Sequence, residues 1–320
     1  MTYSRITNRL MADSSIQNLR INLTRLSDLQ TKLSSGKNIN LPSEDPVGLN
    51  RLLGIDESLK KDERFVDNIN NAKSELNTTD SLLSSTTDII QRARELTIQA
   101  SNQTNGPDEL SAIREEVQQL LNQVVQIANT KFGNKHIFGG LRTTLPPYVV
   151  NPSPPAPPNE IVYNGTASPG HERNIEIGSG VTITVNYAGV DIFGQNDITG
   201  GNQSGLINTL SNLIVDLDAT IAAPTTANYD NIRTHIDDLD TDLDTVLSVQ
   251  TTVGALVNRL DLTENRLQDR KLALSTEYGA IQDVDLASVV SDLNFQEAVF
   301  QTSLATTARV LQPSLLNYLM

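Results

Sequence analysis

The sequence predicts a mainly α fold: an elongated antiparallel helical bundle or coiled-coil rod formed by both chain ends, with a small β-rich domain inserted in the middle. Three observations carry this reading. From Ile232, the residues Leu239, Val246, Val253, Leu260, Leu267 and Leu274 recur every seven positions, the spacing of a coiled-coil seam. A helix of roughly 45 residues is about 70 Å long, more than a compact globule of this size uses. The first 140 residues carry helical stripes of the same kind, and at Leu141 the composition changes abruptly to prolines and then to period-two alternation. The boundaries that follow are residues 1–40 with 281–320 as a terminal helical assembly domain, 41–140 with 202–280 as a coiled-coil rod domain, and 141–201 as an inserted β-rich surface domain.

In chain order, residues 7–33 place Ile16, Leu19, Leu23, Leu26 and Leu33 on one 4-3 stripe, with Gln30 in the remaining position, and stop at Ser34-Ser35-Gly36. NINLPSEDPVG carries two prolines and cannot be continuous helix. Ser43 is a candidate cap for a second helix, with Glu44 and Asp45 favourable to its positive end and Pro46 in its first turn. That helix keeps its heptad through Ile69, Ala72, Leu76, Thr79, Leu83, Thr86, Ile90 and Ala93, and Leu82, Ile89 and Leu96 widen the stripe so that at least two neighbours must cover it. After NQTNGP a third helix starts at Pro107 and carries Leu110, Ile113, Val117, Leu120, Val124 and Ile127.

The segment LRTTLPPYVVNPSPPAPPNE holds seven prolines, which favour extended polyproline-like chain. Alternation at Ile175/Ile177 and at Val181, Ile183, Val185 and Tyr187 reads as strands, separated by turns such as Asn164-Gly165 and Gly178-Ser179-Gly180. Leu206, Leu210, Leu213, Leu217 and Ile221 form one amphipathic helix before the long heptad helix. In that helix the second row is expected at Ile236, Leu243, Gln250, Val257, Glu264, Lys271 and Tyr278. Asp285 caps a last helix carrying Leu286, Val290, Leu293, Phe300, Leu304, Leu311 and Leu315, which Pro313 should interrupt. Neither terminal helix can bury its stripe alone, so their excess apolar face calls for other subunits.

Composition narrows the function classes. Only 4% of the 320 residues are aromatic and Trp is absent, which suits thin helical bundles better than a thick core. A formal charge of −14 opposes general nucleic-acid affinity. The acid is densest at Asp237, Asp238, Asp240, Asp242 and Asp244, read as a solvated helix face, while residues 1–37 carry a basic excess. With no cysteine there is no disulfide, thiolate chemistry or Cys-based zinc site, and no apolar run is long enough to span a membrane. The start, MTYSRITNRLMADSS, lacks the apolar core of a secretory signal.

No catalytic constellation emerges. His136, His171 and His235 fall in unrelated segments without metal-ligand spacing and read as surface residues. Asp240-Thr241-Asp242-Leu243-Asp244 imitates the start of a calcium loop, but Thr245 stands where glycine is required and Thr251 where glutamate is. No metal, cofactor or catalytic residue is therefore expected, and the chain is not expected to be an enzyme.

RITNRLMADSSIQNLRINLTRLSDLQTKLSSGKNINLPSEDPVG at one end, and TTVGALVNRLDLTENRL, IQDVDLA and ATTARVLQPSLLNYL at the other, resemble the two signatures of the flagellin family, in the right order. KHIFGGLRTTLPPYV and the stretch IVYNGTASPGHERNIEIGSGVTITVNYAGVDIFG are similar to the members that join hook to filament. Asn38, where a basic residue is common, and Glu44, in place of an aspartate, depart from the pattern, and the Gln312-Pro313-Ser314 tail is more similar to the filament subunit, which is the alternative, as is an adhesive binding module carried by the insertion. The resemblance implies a structural subunit without catalysis, made in the cytoplasm and exported by the flagellar type III apparatus with an export chaperone. It further implies a homo-oligomeric ring at the hook–filament junction between hook-associated protein 1 and flagellin, with no nucleic acid and no membrane span. The assembly interface is then expected at Ile16, Leu19, Leu23, Leu26, Leu33, Leu293, Phe300, Leu304, Leu311 and Leu315.

Overall fold

The computed structural model describes residues 8–151, 160–166, 173–195 and 205–311. The described chain is mainly helical: α1 (Asn8–Ser35), α2 (Pro46–Ala100), α3 (Pro107–Ala128), α4 (Gly189–Phe193), α5 (Leu206–Ala222), α6 (Thr226–Gln282) and α7 (Leu286–Leu311). Between α3 and α4 lie the short strands β1 (Lys131–Phe132), β2 (Lys135–His136), β3 (Tyr148–Asn151), β4 (Glu160–Tyr163), β5 (Asn174–Gly178) and β6 (Val181–Thr184). The chain divides into two compact units, a terminal unit of residues 1–62 with 268–320 and a body of residues 63–267. α2 and α6 contribute to both.

In the body, the 3-4 row of α2 is buried without interruption from Ile69 to Ala93. Its Thr79 and Thr86 remain compatible with a dry seam because their hydroxyls donate to the carbonyls of Glu75 and Leu82, one turn back. Against this row pack Leu110, Ile113, Val117 and Val124 of α3, Leu206, Leu210, Leu213 and Leu217 of α5, and the heptad of α6 from Ile232 to Leu267. Ion pairs of Arg94 with Asp240 and of Lys73 with Asp261 and Glu264 join α2 to α6 antiparallel, and Arg114 to Asp218 joins α3 to α5.

The second row of α6 differs from the expectation. Ile236, Leu243, Gln250, Val257 and Glu264 are only half-buried, whereas His235, Asp242 and Thr263, one position earlier, are buried. A straight helix turns 100° per residue, so a broad contact with several neighbours takes in both flanks of the main row. Burial of His235 and His136 corrects their reading as surface residues, and burial of Asp242 removes it from the solvated acidic face; His171 lies outside the described residues.

The described residues between α3 and α4 hold three separate antiparallel strand pairs, β1–β2 ahead of Leu141, and β3–β4 and β5–β6 within residues 141–201. The proline-rich stretch is not uniformly extended: Tyr148–Asn151 pairs in register with Glu160–Tyr163. An aromatic knot gathers it. Phe138 meets Phe193 edge to face at 5.0 Å, Tyr148 donates its hydroxyl to the Gly194 carbonyl at 2.8 Å, and Tyr163 donates to the Phe138 carbonyl at 3.0 Å. Burial pushes the Tyr163 phenol up to about 12. The knot is tied to the helices at Asn129, whose side chain exchanges two hydrogen bonds with the Tyr148 backbone, and β5 is tied to α2 by Asn68 and by the Arg173–Glu75 ion pair.

In the terminal unit α2 starts two residues later than Ser43 would place it. Asp45 is the cap, its Oδ1 accepting from the backbone N–H groups of Val47 and Gly48. Asp285 caps α7 in the same way, through Ala287 and Ser288. Pro313 and its expected interruption lie outside the described residues.

Candidate assembly face of the terminal helices

α1 and α7 pack along each other antiparallel. Their ends are joined by backbone: α1 closes on Gly36, whose φ of +69° favours glycine, and the following chain pairs Lys37 with Asp283. Asn38 N–H donates to the Gln282 carbonyl at 2.7 Å, and Val284 N–H donates to Gly36. The register is thereby set at one end of both helices.

Along the seam, α1 presents the 3-4 row Ala12, Ser15, Leu19, Asn22, Leu26, Leu29 and Leu33, all half-buried. α7 answers with Val289, Leu293, Gln296, Phe300, Ser303 and Thr307, of which Val289 and Gln296 are buried. The centre is polar. Asn22 Nδ2 donates to Ser303 Oγ at 3.0 Å, and Gln296 Nε2 reaches the Asn22 side-chain oxygen at 3.3 Å. A side-chain amide at such a position fixes register at some cost in stability.

This splits the stripe expected from sequence. Leu19, Leu26, Leu33, Leu293 and Phe300 sit half-buried at the seam, while Ile16, Leu23 and Leu304 point outward at 40%, 51% and 45% exposure. The side chain of Leu311 and the whole of Leu315 lie outside the described residues. On α1 two rows compete for one partner, because Leu19, Leu26 and Leu33 can be completed by Ser15, Asn22 and Leu29 or by Ile16, Leu23 and Gln30. Sequence reasoning chose the more apolar row. α7 takes the other, and the missed residues were visible only as an equally spaced row that polarity had discounted.

The two exposed rows share one flank of the pair. With Lys37 opposite Asp283, Ile16 falls opposite Leu304, Leu23 opposite Glu297, and Gln30 opposite Val290. The other flank is charged: Arg25, Asp28, Lys32, Glu44 and Asp292 line a cavity of about 470 Å³ rimmed by the exposed Phe295. One flank thus offers aliphatic side chains at heptad spacing and the other mixed charge. The first can bury area against a further helix, and the second resists it through desolvation.

Two chain ends that pair as helices, outward aliphatic rows on both, and a strand-bearing insertion between them define a helical structural protein. Models of the bacterial flagellin N-terminal and C-terminal helical regions match residues 6–143 and 235–319. Flagellar hook-associated protein 3 of Salmonella typhimurium is 24% identical over 315 residues, covering 94% of this chain and 95% of its own. Flagellin of Bacillus subtilis is 27% identical over 318 residues, covering 96% of each. A solved structure of flagellar hook-associated protein 3 from Legionella pneumophila superposes with a TM-score of 0.59 at 19% identity, over 71% of this chain and 98% of the other. The chain belongs to the flagellin family. It is a structural subunit of the bacterial flagellum, and the members of its family are structural proteins.

Proposed function

We propose that this subunit joins hook to filament, forming a ring through the outward rows of α1 and α7. The observation that carries the reading is the aliphatic flank on the paired chain ends, set beside a relative named hook-associated protein 3 that aligns over nearly the whole chain, insertion included. Ile16 and Leu23 on α1 and Leu304 on α7 make the contact surface, which Leu311 and Leu315 extend, while Leu19, Leu26, Leu33, Leu293 and Phe300 hold the two helices together beneath it. Its partners are further copies of itself, hook-associated protein 1 on one side and flagellin on the other. The chain reaches them through the flagellar type III apparatus, accompanied by an export chaperone, and residues 141–201 face the medium. A chain without cysteine suits passage through a narrow channel, where a premature disulfide would obstruct.

A second reading, the filament subunit itself, is favoured by the B. subtilis flagellin match, which is equally long. Electron microscopy of flagella carrying this protein with a label separates the two. A single band at the hook–filament boundary is the expected outcome, and label along the filament would replace the junction reading by the second. Removing residues 1–37 should leave a soluble, folded body that no longer incorporates; normal incorporation would take α1 out of the interface.

A further inference from the structure

In the body, α5 and α6 meet through two polar contacts one heptad apart on both helices. Thr209 Oγ1 donates to Asp242 Oδ2 at 2.7 Å, and Asp216 Oδ2 lies 2.7 Å from His235 Nε2. Seven residues separate Thr209 from Asp216, and seven separate His235 from Asp242. Both contacts therefore lie on the same antiparallel register, and a slip of α5 along α6 breaks both together. Both α6 residues are buried.

The groups around them are mostly acidic. From α6 itself Asp238 places Oδ2 3.4 Å from His235 Nδ1, so the imidazole lies between a carboxylate of α5 and one of its own helix. The nearby cations are engaged elsewhere: Arg94 of α2 with Asp240, and Arg114 of α3 with Asp218 and Glu115. The imidazole is hydrogen-bonded through Nε2 to Asp216, while Nδ1 is buried without a hydrogen-bond partner. At the other contact, ionisation of Asp242 places a negative charge in the α5–α6 seam, where Asp238, of the same sign, opposes it.

We propose that the Thr209–Asp242 contact, in register with the Asp216–His235 contact one heptad away, forms a proton-tightened latch, holding α5 on α6 more firmly in acid and grading how firmly the chain segment following the inserted strands is anchored to the body. Burial pushes the Asp242 carboxyl up to about 6, the Thr209 hydrogen bond opposing and Asp238 reinforcing the change. A carboxyl whose folded value is raised gives its stabilisation in full below its unfolded value, near 3.8, and loses it as pH rises through about 6.

Amide hydrogen exchange across residues 206–222 of the full chain, corrected for intrinsic rates, tests the latch. Protection of α5 should fall about tenfold between pH 5 and pH 8, since about one pH unit separates pH 5 from the folded Asp242 value of about 6 and each unit across a titrating group's window is worth up to a factor of ten. The α2 segment 69–93 should fall much less. Asp242→Asn should retain strong α5 protection at pH 8 and flatten the dependence. Equal protection of α5 at both pH values in the unaltered chain overturns the proposal, as does an undiminished fall in Asp242→Asn or a matching fall in α2. Because the first comparison uses the unaltered protein, the test stands even where a variant folds poorly.

Discussion

α2 carries one heptad row through both units, and the row changes character between them. In the body it runs Ile69, Leu76, Leu83 and Ile90, each fully buried; in the terminal unit the same row reads Ile55 and then Asp62. Asp62 is 1% exposed, and its carboxylate faces Arg270 Nε at 3.3 Å. The α1–α7 pair follows the terminal pattern, with half-buried leucines around an Asn22–Gln296–Ser303 layer. The body draws stability from aliphatic packing. The terminal unit gives up part of that in exchange for polar contacts that select one register and for aliphatic rows left on its surface.

The sharpest way to break this contrast is to cut the same side chain in both places. Leu239→Ala, in a fully buried row of the body, should cost about 2–5 kcal/mol in denaturant unfolding. Leu26→Ala, half-buried at the α1–α7 seam, should cost about 1 kcal/mol, in proportion to its smaller buried area. Equal losses would mean that the terminal seam is packed as tightly as the body. Next in size is Arg270→Ala, which leaves the Asp62 carboxylate buried without its cation and should cost roughly 3 kcal/mol. Arg270→Ala with Asp62→Leu should recover most of that loss, because an aliphatic residue continues the α2 row. If the double variant is no more stable than the single one, Asp62 is held by something other than this pair.

Much of the fold was legible because heptad periodicity is a direct consequence of helical geometry. The rows of α2, α3 and α6 in the body can be read residue by residue, since there one stripe is clearly more apolar than its neighbours. Legibility failed where two rows were possible. On α6 the choice between Ile236 and His235, and on α1 between Leu23 and Asn22, depends on which neighbour covers the helix, and polarity alone selects the wrong flank. The short pairs β1–β2 and β3–β4 were hidden for a different reason. Two-residue strands leave no alternation to count, and prolines adjoining Tyr148–Asn151 masked a four-residue strand. The outward positions Ile16, Leu23 and Leu304 were legible as apolar excess, but their separation from Leu19, Leu26 and Leu293 required the partner helix.

The smallest expected effect bears on why α7 takes the polar row of α1. If apolar area alone decided, Ile16 and Leu23 would face α7, and Ser15 and Asn22 would face outward. The hydrogen bonds of Asn22 with Ser303 and Gln296 offset the difference, and they form only in the observed rotation of α1. Asn22→Ala should therefore cost only about 1 kcal/mol, the net worth of such a bond together with a partly stranded Gln296. Its larger consequence should be rotational. With the layer gone, α7 can engage the Ile16/Leu23 row, and those side chains become protected. Cysteines at Ile16 and Leu23, in a chain that has none of its own, report this through thiol labelling rates. Labelling should be fast with Asn22 present and several-fold slower with Asn22→Ala. Unchanged rates would show that the connection at Gly36 and Asp283, rather than the polar layer, sets which face of α1 turns inward.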